Sequence, residues 1–243
     1  MLKSISVPPE GEEAMKPGKS QTRRPSHRKV IIAIGSALPA QLAALTIVFS
    51  GAGHADTRTV SKQTVAAKME YCQECHGASG QGYHGYYPIP RLAGQQPEYF
   101  ENQLHAFAER ERANNIMYNV ARSLTPAMIT ALAVNFRGLN PPPLEGGARR
   151  QIAAGREIFQ NGDPATNVAA CAACHAPDAK GTGEFPRLAG QLYPYIVKVL
   201  TNFAGERGQN ATNPGPSAIM KPVAHSLTRP QIEAVAAYLS SLN

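Results

Sequence analysis

Two pentapeptides carry the chemistry of this 243-residue chain: CQECH at Cys72–His76 and CAACH at Cys171–His175. In each, two thiols stand one helical turn apart and a histidine follows at once. That spacing suits thioether bonds to the two vinyl groups on one porphyrin edge, with the adjacent imidazole aimed at the iron. Cys-x-x-Cys-His is the sequence mark of covalently attached haem c. Rival uses of cysteine fit less well. A Cys₄ zinc site usually brings its pairs within tens of residues, whereas these pairs start 99 residues apart. A thioredoxin-like redox pair expects a βαβ setting that the sequence lacks, and disulfides leave the histidine after each pair unexplained. The two motifs use all four cysteines. Two covalently attached haems c are therefore expected, held by Cys72, Cys75, Cys171 and Cys174, with His76 and His175 as axial iron ligands.

The sixth iron position is assigned by repetition. PRLAGQ occurs identically at Pro90–Gln95 and Pro186–Gln191, and MYNVARSLT at Met117–Thr125 returns as MKPVAHSLT at Met220–Thr228. Offsets between copies are 99, 96 and 103 residues in the three landmarks, so only loop lengths differ. Met117 and Met220 match each other, 41 and 45 residues after the haem-motif histidines. His225 aligns with Arg122, and His84 and His105 have no histidine counterparts. A lone methionine is ordinarily core filler; two in register behind two haem motifs are expected to be thioether ligands, which favour Fe(II). The second, in AIMKPVAHSLT, is expected on a loop that runs into the cap of the last helix. The carbonyls of Pro90 and Pro186 are candidates to accept from the other ring nitrogen of each proximal histidine. Arg91 and Arg187 are candidates to pair with haem propionates.

Positioning these groups calls for two copies of a small helical unit. Helical starts precede each haem motif, over Val65–Tyr71 and Ala148–Phe159, and middle helices are expected over Tyr99–Phe107 and Tyr195–Phe203. Each copy closes on an amphipathic helix, with Ile129, Leu132, Phe136 and Leu139 in the first and Ile232, Val235, Leu239 and Leu242 in the second. Thr125 and Thr228 are the expected N-caps, the latter with Gln231 in a capping box. No run alternates as a strand does. Tyr99 and Tyr195 read as packed aromatics and Glu109–Arg112 (ERER) as a solvated helix face. The expected organisation is all-α: a first domain over 56–140, a proline-rich linker over 141–147 and a second domain over 148–243. Four short helices per copy bury little apolar surface, and a bound haem supplies the missing core.

Of the formal charge of +7, residues 1–55 contribute seven basic and three acidic groups, leaving +3 for residues 56–243. That surplus, with both signs interspersed, excludes a nucleic-acid footprint. Residues 1–55 have a basic start, an apolar run from Val30 to Phe49 and a small-residue cleavage pattern before Asp56, the layout of a secretory signal. The rival is an uncleaved anchor, since the run approaches the ~20 apolar residues that span a bilayer. Either way the chain is exported.

With Cys-x-x-Cys-His, PRLAGQ and M-x-x-V-A-x-S-L-T each present twice, residues 60–243 resemble the dihaem cytochrome c4 family. The resemblance implies tandem class I cytochrome c domains related by a pseudo-twofold, two His/Met-ligated haems and a periplasmic location with peripheral membrane association. It also implies a carrier of single electrons between respiratory-chain components, from a membrane quinol-oxidising complex to a terminal oxidase. Two alternatives stand beside it: the cytochrome subunit of a periplasmic dehydrogenase, such as a flavocytochrome sulfide dehydrogenase, and a dihaem peroxidase.

Overall fold

Helix α1, Lys62–His76, begins where Ser61 Oγ accepts from the Thr64 amide at 3.2 Å and runs through the whole first haem motif. The computed structural model describes residues 60–144, 147–207 and 217–243. The expected leader over residues 1–55 lies outside them. The chain continues with α2 (Pro97–Ala108), α3 (Asn115–Ala121) and α4 (Pro126–Arg137). Pro97 and Pro126 occupy first-turn positions, where the missing N–H costs nothing. Thr125 caps α4 by accepting from the Met128 amide, as expected.

The second copy opens with a 3₁₀ turn at Arg149–Gln151, then α5 (Ile152–Asn161), so the helix expected from Ala148 starts later. Then come the short α6 (Ala172–His175), α7 (Tyr193–Thr201), α8 (Phe203–Glu206), α9 (Ser217–Ser226) and α10 (Arg229–Ser240). The expected capping box holds: Gln231 Oε1 accepts from the Thr228 amide at 2.8 Å. Among the described residues, extended pairing is confined to isolated bridges.

Two apolar cores form. The first gathers Val65, Phe100, Leu104, Phe107, Ile129, Leu132 and Phe136, with Phe100 and Phe136 stacked at 5.5 Å between centroids. The second gathers Phe159, Ile196, Val235, Tyr238 and Leu239. Each fully buried large side chain contributes roughly 1.5–3 kcal/mol. The stripes read from the sequence on α4 and α10 supply both cores. Helices α5 and α10 cross closely at Gly155, where a Cβ would stand 2.0 Å from the Ala234 carbonyl oxygen. Only glycine allows that approach.

Both copies belong to one unit, His54–Asn243, and PRLAGQ joins them reciprocally. Gln191 Oε1 accepts from the Arg91 amide at 2.8 Å, and its Nε2 donates to the Arg91 carbonyl at 3.1 Å. Gln95 does the same for Arg187, at 2.8 and 3.2 Å. This reciprocity is the local signature of a pseudo-twofold. Asn140, just before the prolines, closes the arrangement: its Oδ1 accepts from Nη2 of Arg91 at 3.3 Å and of Arg187 at 3.1 Å.

Candidate functional site

Cys72 and Cys75 occupy the last turn of α1, and Cys171 and Cys174 border and enter α6. Cys72 and Cys171 are half-buried, and Cys75 and Cys174 are exposed. Burial pushes the Cys72 and Cys171 thiols up to about 11, so they are not adventitious thiolates at neutral pH.

The histidines that follow are buried, His76 at 8% and His175 at 4% exposure. His76 Nδ1 lies 2.8 Å from the Pro90 carbonyl and His175 Nδ1 lies 3.0 Å from that of Pro186. A carbonyl only accepts, so each Nδ1–H donates and each Nε2 lone pair is left for a metal. Burial lowers the proton affinity of both rings, which favours the neutral, ligating form.

The loops that hold this geometry are alike in both copies. The Gly82 amide donates to the His76 carbonyl at 2.7 Å and the Gly181 amide to that of His175 at 2.9 Å. Leu92 and Ala93 donate to Gly80, as Leu188 and Ala189 do to Ala179. Gly77 and Gly80 adopt positive φ; their counterparts Ala176 and Ala179 do so without being glycine, at 65° and 58°. The loops differ only beyond this point, closing through Tyr83–Ile89 in one and Thr182–Phe185 in the other. The longer first loop exposes Tyr83, His84, Tyr86 and Tyr87.

Met117 and Met220 are half-buried on α3 and α9. The expected loop around Met220 is therefore a helix. Pro222 sits inside it at the cost of one helical bond, and Ser226 Oγ donates to the Pro222 carbonyl at 3.1 Å. Asn114, which the sequence reading did not single out, fixes the start of α3: its Oδ1 accepts from the Met117 amide at 2.9 Å. An Asn immediately before the heptapeptide NIMYNVA was the available signal. His225, His84 and His105 are exposed.

Arg91 and Arg187 are buried at the junction, each donating from Nε to a carbonyl two residues on. Arg91 Nη1 is out of solvent and has no partner. Burial, and after it the Arg187 charge, draws the Arg91 guanidinium down to about 10. A buried cation with an unused donor suits an incoming carboxylate. Paired thiols one turn apart, an imidazole with a free Nε2, and that donor together fit haem c.

Comparison with known proteins agrees. The cytochrome c family model matches residues 152–243. Cytochrome c-552 of Acidithiobacillus ferridurans is 42% identical over 177 residues, 70% of this chain and 73% of that protein. The thiosulfate dehydrogenase electron acceptor of Thiomonas intermedia is 37% identical, over 70% of this chain and 77% of that protein. The solved cytochrome c4 of Acidithiobacillus ferrooxidans superposes with a TM-score of 0.59 at 41% identity, covering 70% of this chain and 98% of its own. The chain belongs to the cytochrome c4 family. As a cytochrome c4 it consists of two cytochrome c domains, carries two covalently bound haems c and transfers electrons rather than acting as an enzyme. The peroxidase alternative falls with that assignment. Among the described residues of this cytochrome c4, no helix is long and apolar enough to cross a membrane.

Proposed function

We propose that this cytochrome c4 is a periplasmic relay for single electrons, with His76 and Met117 as axial ligands in the first domain and His175 and Met220 in the second. The observation that carries the ligation is the doubled hydrogen bond from His Nδ1–H to a proline carbonyl, which leaves Nε2 as the ligating atom in both copies. Each iron, once bound, supplies a one-electron Fe(III)/Fe(II) couple. The chain's residues set its conditions. Pro90 and Pro186 hold ring orientation and tautomer. Thioethers from Met117 and Met220 would hold the remaining iron position and exclude an outside ligand. Arg91 Nη1 is available to a propionate, and Arg187 is placed equivalently by Gln95. The domain limits in this reading are 56–140 and 148–243, joined by 141–147, with residues 1–55 as export signal or anchor.

Partners follow the same reading: a quinol-oxidising complex as donor and a terminal oxidase as acceptor, with peripheral membrane association. A second reading rests on the similarity to the Thiomonas intermedia protein, whose name makes it the electron acceptor of a dehydrogenase. The present chain would then take electrons from a periplasmic dehydrogenase. Near-infrared spectra and EPR of the oxidised holoprotein test ligation: two low-spin His/Met haems are expected, and a five-coordinate high-spin population refutes it. Stopped-flow oxidation by membranes against reduction by thiosulfate dehydrogenase separates the two partner readings.

A further inference from the structure

The peptide group between Pro90 and Arg91 is engaged on both sides. Its carbonyl accepts the His76 Nδ1–H at 2.8 Å, and its N–H, the Arg91 amide, donates to Gln191 Oε1 at 2.8 Å. The peptide group between Pro186 and Arg187 repeats this. Its carbonyl accepts the His175 Nδ1–H at 3.0 Å and its N–H donates to Gln95 Oε1 at 2.8 Å. Each glutamine comes from the other domain. The carbonyl that orients each proximal histidine thus belongs to a peptide group held from across the junction.

Both carboxamides are fixed in one orientation. Each Oε1 also accepts from the amide next in the chain, Leu192 at 3.0 Å and Gln96 at 2.8 Å. Those two residues are the N-caps of α7 and α2. Each Nε2 donates to the arginine carbonyl of the opposite domain. An oxygen between two N–H groups and a nitrogen against a carbonyl leave no second way to place the side chain. His76, Arg91 and Gln191 are buried, as are His175, Arg187 and Gln95, so water does not compete for either chain of bonds.

Hydrogen bonds in series polarise one another. An amide whose N–H is engaged has a more electron-rich carbonyl, and that carbonyl draws more strongly on the imidazole proton. An imidazole drawn on in this way is a more basic ligand and favours Fe(III). We propose that Gln95 and Gln191 are positioning residues that act across the domain boundary. Gln191 of the second domain strengthens the His76–Pro90 bond and lowers the potential of the first haem. Gln95 of the first domain does the same for the second haem through Pro186. This rests on the reading of His76 and His175 as iron ligands. It adds that neither potential is a property of one domain alone: in each PRLAGQ the proline serves its own histidine and the glutamine serves the other.

The test compares the native holoprotein with Gln191→Met and Gln95→Met, which keep side-chain length but lose both bonds. In the reduced, ¹⁵N-labelled protein the His76 Nδ1–H resonance is expected to move upfield in Gln191→Met while that of His175 stays in place. Gln95→Met is expected to do the reverse. Redox titration followed at the methyl resonances of each haem is expected to show the crossed pattern too. Fe(II) should be favoured about two- to fourfold more at the first haem in Gln191→Met, and at the second in Gln95→Met. Gln191→Glu, which restores an acceptor for the Arg91 amide, is expected to bring the His76 resonance back to its native position or beyond it. Shifts confined to the substituted domain overturn the proposal. So do equal shifts of both histidines, which a general loosening of the junction would give, and so does the absence of any shift. Where neither variant assembles, the native protein decides: Arg91 and Arg187 amides that exchange with solvent as fast as exposed loop amides overturn the proposal. Optical spectra of the native sample keep the two readings apart. Spectra without two low-spin histidine-ligated haems sink the ligand assignment and this inference with it, whereas intact spectra with uncrossed shifts sink this inference alone.

Discussion

Gly94 of the first domain lies against Arg187 of the second, so closely that a Cβ at Gly94 would stand 3.0 Å from Arg187 Nη1. Gly190 repeats the relationship with Arg91 at 3.2 Å. Both glycines have positive φ, 73° and 72°, a conformation costing other residues about 1–2 kcal/mol. Gly94→Ala or Gly190→Ala is therefore expected to lose at least about 1–2 kcal/mol in urea denaturation. Gly183, which has nothing near its Cβ position, serves as the comparison: its alanine variant keeps the φ cost but displaces no arginine. Equal losses at Gly94 and Gly183 would show that contact with Arg187 adds nothing.

Asn140 Oδ1 accepts from both Arg91 and Arg187. Asn140→Leu removes both bonds and is expected to destabilise the chain by about 1–2 kcal/mol. Asn140→Asp keeps the acceptor and places a negative charge between two cations, so its midpoint should equal or exceed that of the native protein. A lower midpoint for aspartate than for leucine would refute the shared-acceptor account.

Met117→Ala and Met220→Ala are expected each to abolish half of the near-infrared thioether-to-iron band and to lower the potential of one haem. The other haem's spectrum should be unchanged. Retention of the full band in either variant removes that methionine from the ligand set.

Burial lowers the proton affinity of the His76 and His175 rings, and in the proposed holoprotein Nε2 would be held by iron, so each ring takes up a proton only on unfolding. Below the usual histidine value of 6.5 the unfolded chain binds more protons than the folded one, so stability is full above about 6.5 and declines as pH falls. The decline is at most about 1.4 kcal/mol per pH unit for each histidine. The urea midpoint of the holoprotein should hold between pH 7 and 8 and fall between pH 6.5 and 5. A midpoint that rises on acidification would contradict the sign.

How much of this was legible depended on whether repetition marked it. The haem motifs, the paired prolines and the stripes on α4 and α10 stand in register in the two copies, and the structure puts them where the register implies. Gln95 and Gln191 are part of the same repeat, yet their pairing with Arg187 and Arg91 was invisible: it links residues 92 and 100 positions apart through the pseudo-twofold. Arg112 was misread because ERER alternates in charge as solvated helices do. It is half-buried, and its Nη2 donates at 2.8 Å to the hydroxyl of Tyr195, a partner across the junction that nothing local reveals. The loop expected around Met220 is helix α9, which keeps Pro222 inside it at the loss of one backbone bond.

Asn140 also bears on why the two domains share a chain. Its counterpart in the second copy, Asn243, is exposed, so one of two repeat-equivalent asparagines serves both arginines. Separate half-molecules meeting about a true symmetry axis would bring two such side chains to one place, or none. A lone residue at that spot is a stoichiometry open only to a covalent tandem. Its position beside Pro141, Pro142 and Pro143 makes the connecting segment part of the joint it spans.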